Sequence, residues 1–91
     1  MNVLNRIKLQ ISRGQYEFSQ HSILDKLRKY NLTIDDIFNA VFSCQNVIKQ
    51  TDDMRGTRYV IIGYAIDDTP IEVVCRFVNN KVFFITIYDY E

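Results

Sequence analysis

The stretch IEVVCRFVNNKVFFITIY, residues 71–88, decides the fold. Two runs rich in β-branched and aromatic residues flank the pair Asn79-Asn80. Asparagine tolerates the left-handed backbone that a two-residue hairpin turn requires. The pattern therefore predicts two antiparallel strands, residues 71–78 and 81–88, with Val78 opposite Lys81.

Strand-like sequence also precedes this hairpin. Residues 58–66 are apolar on both faces, which is typical of a central strand, and further β-like sequence begins at Val47. A loop at residues 52–56 and a turn at residues 67–70 separate these segments. The second half of the chain is therefore predicted to be an antiparallel meander of about four strands.

The first half of the chain has a helical period instead. Three helices are predicted: the first over residues 2–13, the second from a cap at Ser19 to about Tyr30, and the third from a cap at Thr33. Residues 15–18 are predicted to be extended. The fold class is therefore α+β, with the N-terminal helices packed on one face of a twisted antiparallel sheet of about four strands.

Length and charge limit the possible functions. The 91 residues suffice for one small domain, and the formal net charge of zero argues against strong non-specific nucleic-acid binding. Residues 1–30, however, carry six basic and two acidic side chains. This basic half is suited to an RNA or an acidic partner, and the alternative is that these are ordinary solvated helix faces.

No targeting or metal-binding pattern is visible. The start of the chain lacks a secretory signal, and no apolar run approaches the roughly 20 residues needed to span a bilayer. Cys44 and Cys75 lie far apart in apolar segments, which predicts buried free thiols. We therefore expect a cytoplasmic protein with no metal, no cofactor and no membrane partner.

Four segments together carry a resemblance to a known family. The chain resembles an uncharacterised bacterial toxin-like family with a Y-x-F-S-x-H motif, allied to the RelE/ParE-like toxins and the MqsR-type mRNA interferases. The resemblance implies one RelE/ParE-like domain over residues 1–91, with residues 1–13 outside the match. The segments are YEFSQHS (16–22), LTIDDIFNAV (32–41), RYVIIGY (58–64) and PIEVVCRF with VFFITIY (70–77 and 82–88).

The resemblance implies a function as well as a fold. It implies the toxin of a type II toxin–antitoxin pair, acting as a metal-independent mRNA endoribonuclease, with or without the ribosome. The implied protein partner is an antitoxin encoded by a neighbouring gene, often a small zinc-finger protein in this group. The alternative is a non-catalytic protein-binding module of the same fold. His21 matches the family's first histidine, whereas Tyr30 replaces its usual arginine and Glu72 replaces a usual histidine.

Metal-free RNA cleavage requires a base, cations that hold the phosphate and an acid. His21, predicted near the second position of its helix, is the candidate base, and the alternative is a histidine that only packs against the sheet. Arg58 is the candidate phosphate clamp, and Tyr88 completes the catalytic group. The candidate substrate-binding residues are Arg28, Arg55, Tyr64, Arg76 and Thr86.

Two further expectations concern acidic residues and the sheet face. Arg76 has an alternative role in an ion pair with Glu72, and the Asp52-Asp53 and Asp67-Asp68 pairs are predicted to make only local turn hydrogen bonds. The two turns of the meander are predicted to place four candidates on one face with Ile71 and Cys75, opposite Arg76. That face is predicted to bind substrate, and its four candidates are Arg58, Tyr64, Thr86 and Tyr88.

Overall fold

A computed structural model describes residues 2–44 and 46–89 of the chain. It is an α+β fold, as predicted, with three helices and five strands in the described ranges. In chain order the elements are α1 (Val3–Ser12), β1 (Tyr16–Phe18), α2 (Ser22–Tyr30), α3 (Ile34–Ser43), β2 (Asn46–Gln50), β3 (Arg58–Tyr64), β4 (Pro70–Val78) and β5 (Lys81–Asp89).

The strands form a single mixed sheet in the order β1-β5-β4-β3-β2. Strands β2 to β5 are an antiparallel meander, which confirms the prediction for the second half of the chain. The fifth strand is β1, which pairs in parallel with β5 and sets Tyr16 opposite Val82 and Phe18 opposite Phe84. The segment predicted only as extended is therefore part of the sheet.

The tight turn between β4 and β5 has the predicted geometry. Asn79 and Asn80 both adopt left-handed backbone, with φ of 51° and 63°. Val78 and Lys81 are paired across the turn, as the two-residue loop requires.

The four candidates on the predicted substrate face do share one face of the sheet, but that face carries Arg76 and not Ile71 and Cys75. The prediction was wrong on this point because two register details differ from expectation. The Ala65 N–H donates to the Thr69 carbonyl at 2.8 Å, whereas the predicted faces require the turn after β3 to be closed by Ile66–Thr69 or Asp67–Pro70. Tyr59 therefore pairs with Cys75, and every side chain of β3 changes face. A bulge places Ile85 between the paired positions of Phe84 and Thr86, which also changes the face of the end of β5.

The helices cover the sheet face that carries Ile61, Val73 and Phe84. Burial of each valine, isoleucine, leucine or phenylalanine side chain of this core stabilises the fold by roughly 1.5–3 kcal/mol relative to an exposed one. We call the opposite sheet face the far face. The core includes Ile7 and Ile11 of α1, Ile23 and Leu27 of α2, Ile37 and Val41 of α3, and Ile61, Val73, Cys75, Val82, Phe84 and Ile87 of the sheet. The far face carries Gln50, Arg58, Tyr64, Glu72, Arg76, Phe83, Thr86 and Tyr88.

Candidate functional site

A groove with a volume of about 620 Å³ lies on the far face, between β4–β5 and the segment that joins β1 to α2. Its apolar part is formed by Val78, Phe83 and Ile85. The remaining lining side chains are polar or charged, so the groove suits a ligand that has both an apolar and an anionic part. They are Glu17, Ser19, Gln20, His21, Ser22, Arg55 and Arg76.

Ser19 attaches one wall of this groove to the sheet. Its hydroxyl donates to the carbonyl of Ile85 at 2.7 Å and accepts from the backbone N–H of Ile23 at 3.2 Å. The backbone N–H of Ser19 donates to the carbonyl of Phe84 at 2.9 Å. The segment is therefore held against the edge of β5 at the point where β1 ends.

His21 lies at the start of α2 but not at the predicted position. The helix begins at Ser22, so His21 is its N-cap residue, in helical backbone conformation with φ of −87° and ψ of −52°. Ser19 was predicted to be the cap. Although it lies two residues before His21, its hydroxyl does accept from the backbone N–H of Ile23 in the first turn. The His21 side chain makes no capping hydrogen bond and is exposed, so its imidazole is accessible from the groove.

Arg76 faces the groove from β4 and is held by the loop between β2 and β3. Its Nη1 donates to the backbone carbonyl of Arg55 at 2.8 Å, and its Nη2 lies 3.6 Å from Oδ2 of Asp53. Only 13% of the Arg76 side chain is exposed. The loop over residues 51–57 therefore lies against the same guanidinium that lines the groove.

Asp53 joins two arginines of the far face. Nη1 of Arg58 lies 3.4 Å from the same Oδ2 atom that contacts Arg76, and Nε of Arg58 donates to Oε1 of Gln50 at 2.6 Å. The other Asp53 oxygen accepts from the Arg55 backbone N–H at 2.7 Å. That hydrogen bond first, and then the charges of Arg76 and Arg58, hold the pKa of Asp53 below its ordinary value, so it is ionised at neutral pH.

The sequence predicted only the local part of the role of Asp53. The turn hydrogen bond to Arg55 is present, as expected for an aspartate in a loop. The bridge between Arg58 and Arg76 was missed. Its only signal in the sequence is an acidic loop that precedes a strand with an arginine at its start.

The structure gathers three of the predicted site residues in the groove and connects a fourth to them. His21, Arg55 and Arg76 line the groove, and Arg58 joins them through Asp53. Phe83, which pairs with Arg76 across β4 and β5, was missed because the other sheet face was predicted to bind substrate.

The other predicted site residues lie outside the groove lining. Arg28 is exposed in the last turn of α2. Tyr64 lines a smaller cavity beside Ser43. Thr86 is only 8% exposed, and the ring of Tyr88 receives the Lys26 ammonium 4.7 Å from its centroid.

The cysteines are buried free thiols, as predicted. Burial raises the pKa of Cys75 to about 12. Within residues 2–44 and 46–89, no three His, Cys, Asp or Glu side chains lie close enough together to hold a metal ion. Over the same ranges, no helix is long and apolar enough to cross a membrane.

Comparison with known protein families shows a match over most of the described chain. The family model of DUF4258, a domain of unknown function, matches residues 18–89. The matched region contains the groove-lining residues from Ser19 onward and excludes α1. Neither the curated proteins nor the solved structures contain a match to this chain.

Proposed function

The chain belongs to the DUF4258 family, and on that premise we propose that it is a cytoplasmic toxin of a type II toxin–antitoxin pair that cleaves mRNA without a metal ion. In this proposal the family is a distant relative of the RelE/ParE-like and MqsR-type toxins. The observation that carries the proposal is the presence of His21 and Arg76 in one groove.

The proposed reaction uses the ribose 2′-hydroxyl as nucleophile. His21 accepts its proton, the 2′-oxygen attacks the adjacent phosphorus, and the bond from phosphorus to the 5′-oxygen breaks. The leaving oxygen takes a proton from water, which has access to the exposed wall of the groove. The products are a 2′,3′-cyclic phosphate and a 5′-hydroxyl, while Arg55 and Arg76 neutralise the charge that develops on the phosphate.

The apolar part of the groove favours an unpaired base. Phe83 and Ile85 lie beside the arginines, and an aromatic side chain can stack on the face of any base. Duplex RNA cannot present a base in this way, because its bases are stacked and paired. The proposed substrate is therefore single-stranded RNA.

The direct test is cleavage of a labelled single-stranded RNA by the purified chain. We expect products that end in a cyclic phosphate, equal rates with and without EDTA, and a loss of about 10²- to 10⁴-fold in His21→Ala. Arg13→Ala, which removes an exposed charge outside the groove, is the control and should cleave at the wild-type rate. Wild-type cleavage by a folded His21→Ala variant would refute the assigned base.

Expression in a bacterium tests the biological part of the proposal. The wild-type chain should slow growth, whereas His21→Ala at equal abundance should not. Co-expression of the neighbouring open reading frame, as the proposed source of the antitoxin, should restore growth. Equal toxicity of the wild-type and His21→Ala chains would show that the growth defect does not depend on His21 in the groove.

The second candidate function is a non-catalytic protein-binding module, and one observation favours it. Strand β2 is last in the strand order, so its outer edge has no partner strand in the described part of the chain, and Ile48 on it is 44% exposed. Such an edge can accept a strand from another protein. Capture of the neighbouring gene product by a chain that cleaves no RNA would favour this candidate.

A further inference from the structure

Arg58 and Arg76 occupy facing positions on adjacent strands. Tyr59 pairs with Cys75, and one further step along the antiparallel register sets Arg58 opposite Arg76 on the far face. Like charges directly opposite each other on a sheet repel and destabilise it. An anion is therefore needed between them, and the structure supplies it as Oδ2 of Asp53.

The contacts of this carboxylate are longer than those of a tight ion pair. Oδ2 of Asp53 lies 3.4 Å from Arg58 and 3.6 Å from Arg76. Charge-assisted N–H···O hydrogen bonds are ordinarily about 2.7–2.9 Å long. One carboxylate oxygen shared by two guanidinium groups thus leaves hydrogen-bonding capacity that a phosphate, with more oxygen acceptors, can use.

Arg76 belongs to both the groove and this bridge. Its two terminal nitrogens contact the Asp53 side chain and the Arg55 carbonyl, and both of these groups are in the loop over residues 51–57. A phosphate that binds both terminal nitrogens of Arg76 therefore competes with these loop contacts for the same guanidinium.

We propose that Arg58 and Arg76 form a binding site for a phosphate group of single-stranded nucleic acid, and that Asp53 occupies this site as an internal competitor that the phosphate displaces. The choice of a nucleic-acid phosphate rests on the proposed function, whereas the competition itself rests on the contacts of Asp53. Release of Asp53 moves the whole loop, because Asp53 also accepts from the N–H of Arg55, and the Gly56 N–H donates to the Asp53 carbonyl at 3.0 Å.

The test measures binding of a fluorescently labelled 2′-deoxy oligonucleotide, which lacks the nucleophile and cannot be cleaved by the proposed reaction. Asp53→Asn keeps an acceptor for the Arg55 N–H and removes the competing charge. We expect it to bind about five- to tenfold more tightly than wild type. Asp52→Asn, the control for net charge in the same exposed loop, should bind no more than about twofold more tightly, since a separated exposed charge is screened.

A double-variant comparison assigns the gain to Arg76. Arg76→Ala should bind more weakly than wild type, and adding Asp53→Asn to it should restore much less than the gain that Asp53→Asn produces alone. Equal or weaker binding by Asp53→Asn would overturn the proposal, because Asp53 would then only hold the arginines in place. An equal gain from Asp52→Asn would also overturn it.

A measurement on the wild-type chain keeps the proposal testable if Asp53→Asn fails to fold. The backbone amide resonances of Arg55 and Gly56 report the position of the loop, and both should shift as the oligonucleotide is added. Shifts confined to residues 19–22 would overturn the displacement of Asp53. Tighter binding by Asp53→Asn that depends on Arg76, without cleavage of RNA, would refute the ribonuclease proposal and support the phosphate site. Cleavage of RNA without this change in binding would support the ribonuclease proposal and refute the phosphate site.

Discussion

Gly63 of β3 lies against the main chain of Ala40 in α3, with no space for a side chain between them. A Cβ atom at Gly63 would lie 2.9 Å from both Cα and C of Ala40, and it would lie even closer to the carbonyl oxygen. Because those atoms are backbone, no change of rotamer can relieve the contact. This glycine therefore sets how closely α3 approaches the sheet.

Gly63→Ala should destabilise the fold. We expect the free energy of unfolding to fall by about 1–3 kcal/mol, because the helix must move away from a close-packed sheet. Denaturant unfolding measures this change. Ala40→Gly should give no rescue in the double variant, since the clashing atoms belong to the main chain, and restored stability there would contradict the explanation.

Asp36 should be the most sensitive acidic residue for stability. Its Oδ2 accepts from the backbone N–H of Thr33 at 2.8 Å, which completes the capping box of α3, and its Oδ1 accepts from the N–H of Ile66 at 2.9 Å. Asp36→Ala should lower the free energy of unfolding by about 2–3 kcal/mol, because two N–H groups lose their acceptors. Asp35→Ala, the exposed neighbour in the same helical turn, should cost less than about 1 kcal/mol. Equal costs would show that only helix charge matters.

Ser19→Ala should loosen the wall of the groove that carries His21. Loss of its bonds to Ile85 and Ile23 should cost about 1–2 kcal/mol of stability. Oligonucleotide binding should weaken as well, because the wall that carries His21 is no longer held against β5. A loss of stability confined to α2 would leave binding unchanged. Ser12→Ala is the matched control, because that hydroxyl bonds only the Lys8 carbonyl within α1 on an exposed face. Its effect should stay within about 0.5 kcal/mol.

The buried thiol of Cys75 should make stability fall at alkaline pH. Its pKa is about 12 in the folded chain against an ordinary 9.0, so the unfolded chain releases this proton first. The contribution of the neutral Cys75 thiol to the free energy of unfolding is fully present below pH 9. It is lost as the pH rises from 9 towards 12, and the free energy of unfolding then falls by at most about 1.4 kcal/mol per pH unit. Urea unfolding at pH 8, 9 and 10 should show a steeper decline for wild type than for Cys75→Ala. Parallel declines would contradict the assignment.

Local chemistry explains which parts of the fold were predictable. The Asn79-Asn80 turn and the Thr33 cap depend on side chains that favour one backbone conformation nearby, and both were predicted correctly. The bulge at Ile85 has no such signal, because isoleucine favours an ordinary strand. The parallel partner of β1 lies at the other end of the sequence, so no short pattern indicates it.

The candidate site was predictable by residue type but not by arrangement. Histidine and arginine were chosen for their chemistry, and His21, Arg55 and Arg76 do line one groove. The position of Arg58 beside Arg76 depends on the register of β3 and β4, which a single residue in the turn between these strands changes, and His21 is held near Arg76 by the pairing of β1 with β5. Asp53 was set aside because aspartate is common in turns, and only the three-dimensional structure shows its second contact.

The parallel pairing of β1 with β5 also fixes when the groove can exist during synthesis. Residues 19–22 form one wall, and that wall is held by the carbonyls of Phe84 and Ile85, which are synthesised much later than Ser19. A growing chain that still lacks β5 has His21 but no strand to hold it beside Arg76. The assembled groove is therefore absent from every translation intermediate that precedes β5, and a producing cell meets it only after β5 has been synthesised and has paired with β1.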